Sequence, residues 1–575
     1  MQLAANVTSG HAVDWQAIDW KQVHRRVKNL RQRIFRASRA GDLKRVRSLQ
    51  RLMLKCRANV CASVRRVTQV NQGKDTPGVD QVVATTPEER GRLCEQLSQL
   101  DLHQVLPVRR VYIPKRKGHR PLGIPPIADR CVQAMVKNAL EPFWDARFEG
   151  MSYGFRPGRG CHDAIQKVFC LARPNTTRPW VVDADIEGAF NNIGHSALLQ
   201  AIGNFPAREL IKQWLKAGYV EDEMLHPTDT GVPQGGVISP LLLNVALHGM
   251  EQALGTSYTP KGALRGTYAV VRYADDFAVF CPTQEKAIEA QYLLATWLET
   301  RGLRLSDEKT HIRHLREGFH FLGFNIRQYS TPNSSRSGYK LLIKPSAESI
   351  QDLKRKLKGL WRKHVGTTTV ALINEMNPVI RGWSHYFRIG VAKEVFADLD
   401  HFMYWRAKRY MKRRHPRKSG RWRTEKYWGK PLGRQDRWVF QDKVRHATLW
   451  KFAWTKIVRH RLVPSTHSPD DPALQDYWRQ RRTKPQTMGR RGRQLAQRQQ
   501  GQCPVCHQHL ENGEALHMHH VVPKKRGGKD DLANLWLVHH TCHRQIHSSS
   551  APLGVRRLLE PLYEATGMHG SEGAG

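Results

Sequence analysis

Apolar residues recur at helical spacing through residues 15–70, where Val23, Val27, Leu30 and Ile34 share one face and Arg and Lys fill the positions between them. The Gly- and Pro-punctuated stretch GKDTPGVD (73–80) ends that pattern in a turn. From about residue 105 to 325 the period changes repeatedly. Short β-like runs at Val108–Pro114, Trp180–Ala184, Ala269–Tyr273 and Phe277–Phe280 alternate with helical stretches at Val132–Phe143 and Glu285–Glu299, which predicts a mixed α/β domain. Residues 345–460 read as mostly helical and very basic. RRTKPQTMGRRGRQLAQRQQGQ (481–502) is polar, basic and nearly free of large apolar groups, and reads as a linker or arm. No repeat of fixed period is present.

The chain has 575 residues, enough for several domains, and its 40% hydrophobic and 8% aromatic content is that of ordinary globular cores, which argues against wholesale disorder. The formal net charge is +43. Residues 351–500 hold 37 Lys/Arg against 11 Asp/Glu, more than half of that surplus, together with nine of the sixteen tryptophans. A surplus of this size calls for a polyanion, and nucleic acid is the first candidate. An anionic membrane surface is the weaker rival, because the sequence has no long apolar span and no lipidation motif; no membrane partner is expected. The segment MQLAANVTSGHAVDW does not read as a secretory signal. Seven of the ten cysteines are scattered between Cys56 and Cys281, while Cys503, Cys506 and Cys542 share one His-rich segment. That distribution points to a reducing compartment and one metal site, not a disulfide framework.

The stretch VRYADDFAVF (271–280) sets Asp275 and Asp276 side by side between apolar runs, where an unpaired carboxylate is costly. A hairpin would bring both acids to a turn. Mg²⁺, which prefers a few carboxylates plus substrate phosphates, is the partner such a pair needs. WVVDADIEGAFNNI (180–193) supplies a third acid at Asp183 or Asp185; alternation puts both on one face, so spacing alone does not choose. The Gly-rich stretches SYGFRPGRGCHDAI (152–165) and VPQGGVISPLLLN (232–244) can let backbone approach a phosphate or base. IPKRKGHRPLGIPPIADR (113–130) adds Lys115, Arg116, Lys117 and Arg120. Three acids with convergent cations describe phosphoryl transfer with two metal ions about 3.5–4 Å apart.

In order, IPKRKGHRPLGIP, SYGFRPGRG, DIEGAF, PQGGVISP, YADD, LSDEKT (305–310) and FLGF (321–324) resemble the blocks of reverse transcriptases, in particular the group II intron-encoded proteins, over about residues 15–330. The resemblance implies Asp185, Asp275 and Asp276 as catalytic acids holding two Mg²⁺, with Asp185 chosen over Asp183 because it precedes Ile-x-Gly. It implies Phe190 beneath the sugar, excluding a 2′-hydroxyl and so selecting dNTPs. Lys115 and Arg120 would meet the triphosphate, Gln234 and Gly235 would line nucleotide and template, and Lys309 would lie near primer or acids. Asn191 and Asn192 stand where relatives often carry Asp-Asn, a position that is not a metal ligand.

NPVIRGWSHYFR (377–388) resembles the maturase region, X, of the same family, which implies binding of structured intron RNA. Arg381, Arg388, Arg406, Lys408 and Arg409 are the expected phosphate contacts, whereas Trp383 and Tyr386 read first as core packing. Near the C-terminal end of the sequence, CPVC (503–506) and HHTCH (539–543) have structural zinc spacing, with Cys503, Cys506, His539 and Cys542 as ligands and His540 the neighbour that could replace His539. HHVVP, GG, NL and CHRQIH resemble the HNH nuclease motif, a ββα-metal fold. That resemblance implies His519, His543 and His547 around a catalytic divalent metal, expected to be Mg²⁺, His520 as general base and Asn534 orienting His520.

The expected architecture is multidomain, α/β and α: a right-hand polymerase of fingers and palm with an antiparallel palm sheet (1–335), a helical thumb or maturase X domain (336–430), a basic DNA-binding segment and linker (431–495), an HNH zinc module (496–560) and a flexible tail (561–575). The resemblance implies a multifunctional protein that binds its intron RNA, assists splicing, nicks target double-stranded DNA and extends the nick with dNTPs, in a bacterial cytoplasm or nucleoid. A splicing-only RNA-binding maturase with a decayed polymerase is one alternative, disfavoured by the three intact acids. A reverse transcriptase recruited for defence or diversity generation is another, disfavoured by the HNH module and the intact PQGG block.

Overall fold

The helical pattern of residues 15–70 becomes three helices. α1 (Trp20–Arg39) starts where the Asp19 side chain accepts the Gln22 amide, and α2 (Leu43–Leu54) starts on Asp42 in the same way. α3 (Arg57–Arg65) runs on into a π turn at Arg66–Val70. Their apolar faces pack around the helix Ile127–Asp145, which is buried on nearly every side. The computed structural model describes residues 13–99, 103–115, 118–259, 263–331, 337–431, 433–482, 488, 490–552 and 555; Arg116, Lys117 and the expected tail lie outside the described residues.

Two sheets frame the cleft beside this helical layer. One joins His119–Ile124, Val108–Pro114, Tyr219–Glu221 and Met224–His226 in that order. The other is the expected antiparallel palm, in the order His311–His314, Trp180–Asp185, Asp276–Cys281, Ala269–Tyr273. Period-2 alternation divides the palm strands between two hydrophobic cores. Val182, Ala184, Val270 and Val279 face the core shared with α1–α3. Val181, Val271, Ala278 and Phe280 face a second core, shared with the three-stranded sheet Phe319–Phe321, Phe324–Ser330, Tyr339–Pro345 and the helices beyond it.

Those helices, Ala347–Lys363, Thr369–Phe387, Lys393–Arg414 and Gly420–Tyr427, form the thumb. Ser346, Thr368 and Ser419 cap three of them. Trp383 and Tyr386 pack inside, as read: Trp383 lies against Phe387, Phe396 and Phe452, and the Tyr386 hydroxyl donates to the Leu322 carbonyl. The helical expectation fails after Tyr427. Trp428–Gly429, Val439–Asp442 and Ala447–Thr448 make a small antiparallel sheet, and the Gly-Lys-Pro stretch 429–431 is the breaker that stops the helix.

Residues 459–482 are a strap laid over the polymerase body. Arg159 donates to the Ser465 carbonyl at 2.7 Å, and Asp163 pairs with His460 at 2.9 Å and with Arg481 at 3.2 Å. Asp470 pairs with Arg31 of α1 at 2.7 Å, and Arg31 also reaches Glu141 at 2.8 Å. The linker reading of 481–502 is corrected in the same sense: Arg490–Arg498 is a helix whose Leu495 and Ala496 are buried against the strand Leu535–His539. Its apolar residues are only two, which is why composition concealed it.

The C-terminal module is ββα: Leu516–His520 pairs antiparallel with Leu535–His539, and the helix His540–Ile546 follows. Its buried residues belong to the same core as α1–α3. No helix among the described residues is long and apolar enough to cross a membrane.

Candidate active sites

The hairpin read at YADD is present. Tyr273 pairs with Asp276, and Ala274 and Asp275 form the two-residue turn. Ala274 sits at φ +60°, a strained position for a side chain at the first place of such a turn. The surroundings hold it there. The fully buried Arg272 guanidinium donates to the Ala274 carbonyl and to Asn244 Oδ1, both at 3.2 Å, and Asn244 Nδ2 donates to the Gly154 carbonyl at 2.8 Å. The Tyr153 amide donates to the Arg272 carbonyl at 2.9 Å, and the Arg272 amide donates to the Met151 carbonyl at 3.0 Å. SYGF is therefore a cradle for the acidic turn, a role the Gly-rich pattern did not disclose. Arg272, an arginine inside an apolar strand, was the overlooked signal.

Asp185 is the direct cross-strand neighbour of Asp276, and Asp183 lies on the same face of the strand, two residues back. Burial raises the carboxyls of Asp275 and Asp276; Asp276 is pushed up to about 8, with the charges of Asp183, Asp185 and Asp275 adding to the burial effect. Burial likewise moves Asp183 up to about 7. Crowded, half-buried carboxylates that resist ionisation together are a donor set suited to hard divalent cations. Lys309 pairs directly with Asp185 and faces Asp275 and Asp276.

Phe190 is buried at the wall of the cleft, on a short helix entered through Gly188 at φ +53°. The exposed Phe155, itself at φ +59°, meets it edge to face at 6.3 Å. Arg120 Nε donates to Gln234 Oε1 at 2.8 Å, tying the first sheet to the PQGG loop. Gly235 at φ +129° lets that loop lie against Gly123; a Cβ there would stand 2.4 Å from the Gly123 carbonyl oxygen. Lys115 is exposed at the hairpin's end.

In the thumb, Arg406 and Arg409 join Lys358, Arg362 and Arg413 around a cavity of about 160 Å³ between two helices. Arg362, Arg406, Arg409 and Arg413 form no ion pair among the described residues. Lys408 lies outside, over the rings of Tyr404 and Trp405. Arg381 stacks on Trp450, with its guanidinium 4.3 Å from the ring centre, and Arg388 is partly buried, its carbonyl accepting from the Val458 amide at 3.0 Å. The structure thus brings two of the five expected phosphate contacts into one groove and places the other three elsewhere.

The module carries two groups of metal-ligating side chains. Cys503, Cys506, His539 and Cys542 are all buried and converge. His539 Nε2 donates to the His509 carbonyl at 3.1 Å, which turns its Nδ1 lone pair toward the sulfurs, 3.4 Å from Cys506 Sγ. His540 points away and rings with His517 at the surface. This Cys₃His set is compatible with zinc. His519, His543 and His547 form the second group. His519 Nε2 is buried without a hydrogen-bond partner, and burial beside the other two rings lowers its pKa to about 4, so the ring is neutral and able to act as a ligand. His520 Nε2 bonds Asp530 Oδ1 at 3.0 Å. Among the described residues no hydrogen bond joins the Asn534 side chain to His520. Its side chain accepts from the Val522 amide at 2.7 Å and donates to the Val522 and Lys529 carbonyls, closing the loop that carries Asp530. Asp530 was the residue missed, hidden in the polar run GGKDD.

Family models match four stretches of the chain: "N-terminal domain of reverse transcriptase" over residues 15–97, "Reverse transcriptase (RNA-dependent DNA polymerase)" over 113–326, "Group II intron, maturase-specific domain" over 350–428 and "HNH endonuclease" over 503–549. Protein YkfC of Escherichia coli K12 is 36% identical over 307 residues, 46% of this chain and 79% of that one. Group II intron-encoded protein LtrA of Lactococcus lactis subsp. cremoris is 28% identical over 420 residues, 58% and 69% of the respective chains. An uncharacterized 91 kDa protein in the cob intron of Schizosaccharomyces pombe is 26% identical over 371 residues, 52% and 45%.

Proposed function

This chain belongs to the group II intron-encoded proteins that combine reverse transcriptase, maturase and HNH endonuclease domains, and from that premise we propose how its residues divide the work. The observation that carries the reading is the meeting of Asp185, Asp275 and Asp276 at one end of the palm sheet. Two Mg²⁺ held by these carboxylates would supply charge neutralisation of the triphosphate and a more acidic primer 3′-hydroxyl. Lys115 and Arg120 bind the phosphates of the incoming dNTP. Gln234, fixed by Arg120, and Gly235 align base and template. Phe190 fills the space a 2′-hydroxyl would need. Lys309 neutralises Asp185 from the primer side.

In the nuclease module, His519, His543 and His547 are the residues that would hold a divalent ion, which supplies stabilisation of the charge developing at the scissile phosphate. Asp530 orients His520 through Nε2 and leaves the other ring nitrogen to take a proton from the attacking water. Asn534 fixes the loop and hence Asp530. The Cys₃His centre would hold structural zinc. The thumb groove at Arg406 and Arg409 binds intron RNA by its phosphates. The DNA nick made by the module then offers the 3′-end that the palm extends on the intron template.

The test separates the two centres. Asp275→Asn should abolish dNTP incorporation while sparing RNA binding and nicking, and His520→Ala should abolish nicking while sparing polymerisation. Full activity in either variant removes that residue from its role. Sequencing the RNA that copurifies with the protein supplies the partner: one dominant lariat encoding this chain supports the intron ribonucleoprotein, and a mixture of unrelated RNAs refutes it.

A further inference from the structure

The Cys₃His centre lies against the polymerase. Arg65, the last residue of α3, is only 2% exposed and projects into the nuclease module. Its Nη2 donates to Thr541 Oγ1 at 2.9 Å, to Glu514 at 3.2 Å and to Cys542 Sγ at 3.4 Å. Its guanidinium carbon lies 4.6 Å from the Trp20 ring centre on α1. A second contact runs beside it: Gln545 Nε2 donates to the carbonyls of Gln16 and Ile18 at 2.9 and 2.8 Å. Cys503, Cys506 and Cys542 are buried in the same core as Trp20, Val60 and Val64.

Charge explains why an arginine is tolerated here. Three thiolates around Zn²⁺ leave a net charge of about −1, and Glu514 adds another. A buried guanidinium is stable only while such charge faces it. One nitrogen of Arg65 meets both the Cys542 sulfur and Glu514, so the position of the sulfur and that of the guanidinium are set together.

We propose that the Cys₃His centre is a latch between the two enzymes: the metal-loaded thiolates hold Arg65, and so fix the nuclease in one position on α1 and α3, while loss of metal releases it. This rests on the zinc reading of the four ligands and goes beyond a centre that folds only its own module. Arg65 is a positioning residue, acting on neither reaction directly. A fixed nuclease would deliver the nicked strand to the palm from a constant direction, coupling cleavage to priming.

The test uses the full chain and measures zinc content together with hydrogen–deuterium exchange of peptides covering residues 16–24 and 60–70, before and after chelation. Zinc removal should raise exchange in both peptides on the order of tenfold or more and leave the palm peptide 269–281 unchanged, with zinc re-addition restoring protection. Arg65→Met should release zinc to a chelator on the order of ten to a hundredfold faster. Gln545→Ala, which leaves the buried charge intact, should raise exchange at 16–24 alone and guards against a misfolded Arg65 variant. A chain that carries no zinc overturns the metal reading and the latch with it. A zinc-bearing chain whose α1 and α3 peptides keep their protection after chelation, or whose Arg65→Met variant releases zinc at the parental rate, overturns the latch alone.

Discussion

Gly154 offers a direct way to test whether SYGF supports the acidic turn and whether that turn carries polymerisation. A Cβ at this position would stand 2.4 Å from the Ala274 amide nitrogen, 2.9 Å from the Tyr273 carbonyl carbon and 3.1 Å from Ala274 Cα. Every one of these atoms is backbone, so no side chain can swing aside. Gly154 has no left-handed φ, so Gly154→Ala carries no conformational penalty of its own and isolates the contact. Restoring ordinary contact of about 3.4 Å requires the Ala274–Asp275 turn to retreat by about 1 Å. A misplacement of about 1 Å at a reacting centre costs about a hundredfold in rate, and overpacking adds about 1–3 kcal/mol of instability. Single-dNTP incorporation on a primed RNA template should therefore show kcat reduced about a hundredfold. RNA binding and DNA nicking should be unchanged. Gly160→Ala, in the same loop but with nothing within 4 Å of its Cβ, is the control and should incorporate normally. A Gly154→Ala enzyme with near-parental kcat would refute the cradle.

Asp470→Ala deprives Arg31 of one of two buried carboxylates and should destabilise the polymerase body by about 3 kcal/mol, read as a lower first melting transition and faster proteolysis in residues 459–482. His248, packed against Trp144 and Phe148, is lowered to about 4 by burial and by Arg272, Arg156, Arg147 and Arg301. The unfolded chain therefore takes up a proton below about pH 6.5 that the folded chain refuses until about pH 4, so stability is flat above the window and falls by up to about 3 kcal/mol through it. His248→Phe should flatten melting temperature against pH between 6.5 and 4.5, and parallel curves would contradict this. Arg406→Gln with Arg409→Gln should weaken RNA binding and reduce the slope of log K against log salt by about 1.5, whereas an unchanged slope would place the RNA elsewhere.

The palm strands were legible because alternating burial writes itself into sequence: Ala269–Tyr273 has the bounds read from the chain, and Asp276–Cys281 is one residue longer at each end than the run read there. The convergence of the Cys and His side chains into two groups was legible too, since ligand chemistry restricts residue type as well as spacing. What stayed hidden depends on contacts distant in sequence. Asp470 reads as a surface acid until Arg31, 439 residues away, is seen beside it. Arg65 reads as one more cation of a basic helix until Cys542 is placed against it. Asn534 was assigned to His520 by resemblance, but its amide satisfies the backbone of the loop between them, which no pattern of residue types encodes.

These buried pairs also explain where the chain's positive surplus is available. Acids are scarce, 50 against 93 Lys and Arg, and several buried ones pair with basic side chains inside the protein. Asp145 holds Arg156, Glu141 and Asp470 hold Arg31, Asp163 holds His460 and Arg481, and Glu514 holds Arg65. Each of these basic side chains faces a carboxylate inside the protein. The thumb arginines at 362, 406, 409 and 413 have no such partner among the described residues, and the last three lie on one helix where like charges three and four apart repel. The thumb therefore bears an unfavourable self-energy that a polyanion relieves and an internal acid does not. RNA bound at this groove would stabilise the helices that form it, and the charge that is a cost to the free protein would become the source of affinity.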